Sequence, residues 1–204
     1  MLSQSGKILY SSVETLKKGD IYFLGYNPGG EIDYPVKRDL QELPHRVINA
    51  YLDEEWVNRI KKYPNGEHPL QINCSYLIRA LGYEPREVFC TNLIFVRSRS
   101  QELNNYNLWS DICWDVHREF IKIVDPKYFI VFGNSNISPF RYIKEKYSLS
   151  ISDSIFSGHG NWYCYSCFGS IEGKERLLIG LPHLSRYYVR YHDDVIRWIK
   201  SKFR

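Results

Sequence analysis

Four short runs in the chain are apolar at nearly every position: Ile21 to Leu24, Val88 to Asn92, Tyr128 to Phe132 and Leu177 to Leu181. Strands covered on both faces read this way, whereas a strand with one wet face alternates. Between these runs the period lengthens. "PHRVINAYLDEEWVNRI" carries Ile48, Leu52, Trp56 and Ile60 four apart, with Pro44 suited to a first turn, which predicts an amphipathic helix. "NCSYLIRALGY" predicts a second helix closed by Gly82, and "SDICWDVHREFIKIVDP" a third stopped at Asp125 and Pro126. "SPFRYIKEKY" and "DDVIRWIKSKF" predict two more, and "NWYCYSCF" reads as a hairpin partner turning through "GSIEGKE". Strands alternating with helices predict an α/β fold of three layers, with a central, mainly parallel four-stranded sheet flanked by helices.

The 204 residues suffice for one good-sized core and fall short of two, so a single domain over 1–204 is expected. Hydrophobic residues at 44% and charged residues at 25% are ordinary for a globular chain. Its 17 Tyr, 10 Phe and 5 Trp suit a core and equally suit stacking on bases. A formal charge of +4 permits a nucleic-acid partner without requiring one. The N-terminal "MLSQSGKILYSS" lacks the apolar stretch of a signal peptide, and no run approaches a membrane span, so a cytoplasmic, membrane-free protein is the expectation. Five irregularly spaced cysteines fit free thiols in a reducing compartment. Cys164 and Cys167 have the spacing of a metal or redox pair, but within a strand residues three apart face opposite ways, so neither metal nor cofactor is expected.

In an open α/β sheet ligands bind beyond the carboxyl ends of the strands. There the chain reads "GYNPGG", "TN" followed by "LIFVRSRS", "GNSN", and "PHLSRYY". "GYNPGG" is neither of the common phosphate-binding loops and has the composition of a tight turn. Asn92 fits a capping or turn role, His183 a surface or packing role, and Arg97 and Arg99 a solvated one. Their convergence on one rim points instead to a site, where Arg97 and Arg99 would contact phosphates.

"FLGYNPGG" resembles the first motif of the uracil-DNA glycosylase superfamily, in the Gly-x-Asn-Pro-Gly form of its mismatch-specific and single-strand-selective branches. "PHLSRYY" is similar to that family's terminal His-Pro-Ser motif, and "VFCTNLIFVRS" and "PKYFIVFGNS" to its intervening segments, so the resemblance spans residues 20 to 190. It implies hydrolysis of an N-glycosidic bond in DNA, the base-excision step of DNA repair, acting on uracil or a related damaged or mismatched pyrimidine flipped into a pocket. The implied catalytic residues are Asn27, holding a water, and His183, donating to the pyrimidine oxygen that gathers charge. Asn92 would read the base edge, with Gly25, Tyr26, Pro28, Gly29, Tyr34 and Ser185 forming the substrate pocket. For the ring that stacks on the base, Tyr34 and Tyr26 compete. Arg97, Arg99, Ser135, Arg186 and Tyr187 would contact DNA, with Arg186 or Tyr187 filling the gap left by the flipped base. An amide cannot act as a general base near neutral pH, so Asn27 implies catalysis by positioning.

Two features depart from the family. The last motif reads His-Leu-Ser, and the four-cysteine iron-sulfur pattern of the thermophile-type branches is missing, so no branch is assigned. The expectation is a monomer acting on single- or double-stranded DNA. A catalytically weak or inactive nucleic-acid or nucleotide-binding protein of the same fold is the alternative, and an enzyme of free nucleosides a third.

Overall fold

The computed structural model describes residues 1–30, 33–57, 60–98 and 105–203. In chain order the elements are β1 (Ile21–Gly25), α1 (Val36–Glu42), β2 (Trp56–Val57), β3 (Lys62–Tyr63), α2 (Pro69–Ala80), β4 (Phe89–Asn92), α3 (Tyr106–Val124), β5 (Tyr128–Phe132), α4 (Pro139–Lys146), β6 (Ile151–Phe156), β7 (Tyr163–Ile171), β8 (Lys174–Leu181) and α5 (Asp193–Lys202). Six strands form one sheet in the order β4-β1-β5-β8-β7-β6. The first four are parallel, and they are the four apolar runs of the sequence. Strands β7 and β6 extend the sheet in antiparallel fashion.

Alternation along the strands divides the core in two. Tyr22, Leu24, Phe129 and Val131 face one cluster, closed by Trp114, Phe120 and Ile121 of α3 and by Phe140 and Ile143 of α4. Ile21, Phe23, Ile130 and Phe132 face the other, closed by Cys74, Leu77 and Ile78 of α2 and by Val195, Ile196 and Ile199 of α5. Each large side chain fully buried this way contributes about 1.5–3 kcal/mol of transfer free energy. The result is the three-layer α/β arrangement the pattern predicts, with a sheet of six strands rather than four: β7 is the hairpin partner expected from "NWYCYSCF", and β6 is the strand the pattern does not announce. Strand β6 is exposed along almost its whole length, so no core-facing stripe marks it in the sequence.

The hairpin between β7 and β8 turns at Glu172 and Gly173, both at positive φ (48° and 76°), as a right-twisted two-residue turn requires. Cys164 lies in one core cluster and Cys167 in the other, so the two thiols face opposite sides of the sheet. Helix α3 ends where Asp125 turns left-handed (φ 49°) before Pro126.

The first predicted helix is not there. Residues 46–55 run as turns and loop before β2, with Ile48 43% and Ile60 95% exposed. Tertiary bonds hold this backbone away from a helix: Ala50 N–H donates to Tyr10 O (2.6 Å), and Gln71 Nε2 donates to Ala50 O (2.7 Å) and Glu54 O (2.8 Å). The Asn49 side chain caps the local turn by accepting from Tyr51 N–H (2.9 Å). Periodicity is a weak prior against such partners. No described helix is long and apolar enough to cross a membrane.

Candidate functional site

Because β1, β4, β5 and β8 are parallel, their carboxyl ends share one edge of the sheet. A cleft of about 1500 Å³ opens there, and its lining includes Asn27, Asn92 and His183. Three short motifs separated by up to 156 positions of sequence thus meet at one cavity.

Asn27 follows β1 directly. Its Nδ2 donates to Pro28 O (3.0 Å) and Ser98 Oγ (2.8 Å), and Ser98 N–H donates to the same Pro28 carbonyl (3.1 Å). With the amide nitrogen committed to the wall, Oδ1 is the atom Asn27 offers to the cleft, an acceptor suited to a water or hydroxyl proton. Arg97 clasps the same loop by donating from its guanidinium to Gly29 O, and Gly30 completes the turn at φ 86°.

Asn92 ends β4, in register with Gly25 of β1. A Cβ on Gly25 would overlap Asn92 Oδ1 and lie 2.7 Å from Phe132 Cζ, so only glycine lets this amide cross the neighbouring strand. Tyr10 hydrogen-bonds the Asn92 side chain, and burial pushes its hydroxyl well up, keeping it a neutral phenol. Below, His117 secures the chain as it leaves the strand: its ring accepts Tyr22 O–H at Nδ1 (2.7 Å) and donates from Nε2 to Leu93 O (3.0 Å).

His183 follows β8 and stands edge-on to Phe132, ring centroids 5.4 Å apart. Ser185 N–H donates to its Nδ1 (3.2 Å), and Ser185 Oγ lies 2.8 Å from the same atom. Nδ1 is therefore the acceptor, and the ring proton sits on Nε2. Burial, aided by the positive charge of Arg186, lowers its pKa to about 4, so at neutral pH His183 is an uncharged N–H donor.

The remaining sequence candidates divide. Tyr34, Gly29, Arg97, Ser185 and Arg186 line the cleft, Arg186 exposed at its rim. Pro28 is buried within the Asn27 loop. Tyr26 borders the cavity, but its ring packs on Tyr106 at 5.7 Å. Tyr34 stands at the edge, its hydroxyl on Glu42 and its ring under Arg38. Tyr10 adjoins Asn92 and Phe132 adjoins His183, two aromatic residues that sequence reasoning missed. Phe132 closes a predicted strand and was findable by that rule, whereas Tyr10 arrives from an N-terminal segment hydrogen-bonded to Cys90 O (2.9 Å).

Tyr187 is corrected: it is 0% exposed, packed in the core and stacked on His192 at 5.0 Å, so it cannot enter a DNA stack. Ser135 is not among the cleft residues; its Oγ donates to Ile137 O (3.1 Å) in the turn leading to α4. Arg99 lies outside the described residues.

Compared with protein-family models and with curated proteins, the chain matches none. Fold and site alone define it here, as a three-layer α/β protein with an acceptor, a bifunctional amide and a neutral imidazole donor on one strand-end cleft.

Proposed function

We propose that the protein is a hydrolase of the uracil-DNA glycosylase type, releasing uracil or a related damaged or mismatched pyrimidine from DNA. One observation carries the proposal: Asn27, Asn92 and His183 meet at the carboxyl ends of β1, β4 and β8, with His183 locked as a neutral Nε2–H donor. Breaking an N-glycosidic bond leaves positive charge on the sugar and negative charge on the departing base. A neutral donor aimed at the base oxygen stabilises that charge without first binding it as an ion. The amide of Asn92 offers the donor and acceptor needed to read a pyrimidine edge, and Asn27 Oδ1 aligns the attacking water. Arg97 and Arg186 supply positive charge for phosphates at the rim.

The test is a single-uracil oligonucleotide followed by alkali, with strand scission scored on single-stranded, U:A, U:G and T:G substrates. Scission that falls in Asn27→Ala and His183→Ala proteins is the expected result, and no scission on any substrate refutes the activity. A second reading, binding without base release, is favoured by one feature. The acids that line the cleft, Asp39, Glu42, Asp53, Glu54 and Glu55, are each tied in an ion pair, with Arg46, Arg38, Arg86, Lys7 and Lys62 in turn, which leaves none of these carboxylates as a ready base. Salt-sensitive DNA binding that persists without scission identifies that case.

A further inference from the structure

The cleft is much larger than one pyrimidine, and beyond Asn92 its wall carries a run of aromatic rings set among acids that are each held in an ion pair. From Tyr10, whose hydroxyl meets Asn92, rings continue outward to Tyr51 (centroids 5.5 Å) and Trp56 (6.2 Å), and from Trp56 to His68 (5.3 Å). Both outer rings are held in place. Trp56 Nε1–H donates to Glu54 Oε2 (3.3 Å), and Glu54 is anchored by its ion pair with Lys7. His68 Nδ1 accepts Leu70 N–H (3.2 Å) at the start of α2, which puts the ring proton on Nε2, and burial lowers its pKa so that the ring is neutral. Val47 (68% exposed), Ile48 and Val57 (66%) form an apolar lip on the same cavity.

We infer that this outer half is a second nucleobase subsite, in which the base next to the flipped one stacks against Trp56 and His68. The inference rests on the glycosylase reading and adds the substrate form: single-stranded DNA. A nucleobase fits the chemistry of the wall because it presents a π-face to fixed rings and an apolar lip, and a polar edge to His68 Nε2–H and the Lys7–Glu54 pair. The occupant also has to be tethered to the base held by Asn92, and the adjacent nucleotide of the same strand is so tethered. In a duplex this would require two neighbouring bases to leave the stack, at a second unstacking cost that a single strand does not meet.

The test is binding of fluorescent oligonucleotides carrying one 2′-fluorodeoxyuridine, which resists cleavage, in single-stranded and duplex form. The wild-type protein is expected to bind the single strand at least tenfold more tightly. Replacing one neighbouring base by a tetrahydrofuran spacer is expected to weaken that binding by roughly tenfold, the scale of a single base-aromatic stack. Trp56→Ala, checked for native circular dichroism, should bind more weakly and lose its sensitivity to the spacer, while Trp56→Phe retains most of it. Spacers without effect on either side, or a duplex bound as tightly as the single strand, overturn the subsite, and the wild-type arms decide this even where Trp56→Ala does not fold. Uracil release without a spacer effect sinks the subsite alone. A spacer effect without release sinks the hydrolase alone, and absence of binding and release sinks both.

Discussion

Acidification should destabilise this protein through two imidazoles. His117 is wholly buried between Tyr22 and Leu93, and burial holds its pKa near about 4 against an ordinary 6.5. His183 is held near the same value, by burial first and then by Arg186. A histidine lowered in the folded state contributes stability that is fully present above 6.5 and is lost as pH falls from 6.5 toward about 4, because only the unfolded chain takes up the proton in that interval. With 1.36 kcal/mol per pKa unit, going from pH 7 to pH 5 costs about 2 kcal/mol for each ring, or about 4 kcal/mol for both. That is a large share of the roughly 5–15 kcal/mol by which domains are stable. His68, also lowered by burial, acts in the same direction. The carboxylates held low by partners, Asp53, Asp125 and Asp153, titrate below this window. Urea unfolding followed by circular dichroism at pH 7, 6 and 5, at constant ionic strength, measures the loss. His117→Gln should be less stable throughout and lose about half of the slope. An unfolding free energy that changes by less than about 1 kcal/mol between pH 7 and 5 refutes the assignment of both rings as neutral in the folded protein.

Other outcomes follow from the site and core. Gly25→Ala should cost about 1–3 kcal/mol by overpacking and weaken uracil-oligonucleotide binding, since its methyl displaces Asn92; an unchanged melting temperature and affinity would contradict the packing described. Ser185→Ala keeps the backbone N–H on His183 Nδ1, so single-turnover base release should fall less than about tenfold, whereas His183→Ala removes the donor and should cost about 100-fold or more; equal losses would argue that the hydroxyl, not the amide, sets the ring. Burial pushes the thiols of Cys164 to about 12 and of Cys167 to about 11, so a thiol reagent should leave both unlabelled in the native protein and label them on denaturation; rapid native labelling of either would contradict their placement in the core.

The lost helix and the found strand show where pattern reading stops. The spacing of Ile48, Leu52, Trp56 and Ile60 is helical, yet Tyr10 and Gln71, far away in sequence, hold that backbone in another conformation. Strand β6 has no core-facing stripe to read, because its partner β7 stabilises it through the hydrogen-bond ladder at the sheet edge. Tyr187 illustrates a related limit. Its place beside His183 in the chain suggested the rim, but the turn after β8 points Arg186 outward and Tyr187 into the core.

The sequence by itself determined the four parallel strands, the helices that cover both faces, the β7–β8 hairpin and the edge at which Asn27, Asn92 and His183 would emerge. Those features depend on local chemistry: unbroken apolar runs, caps, and the fixed two-residue period of a strand. Only the tertiary structure decided that Tyr10 and Phe132 adjoin those residues, that Ser185 puts the His183 proton on Nε2, and that the cleft continues to Trp56 and His68. Each of these depends on side chains brought together from distant segments, or on which way one ring turns, and neither is encoded in the spacing of residues along the chain.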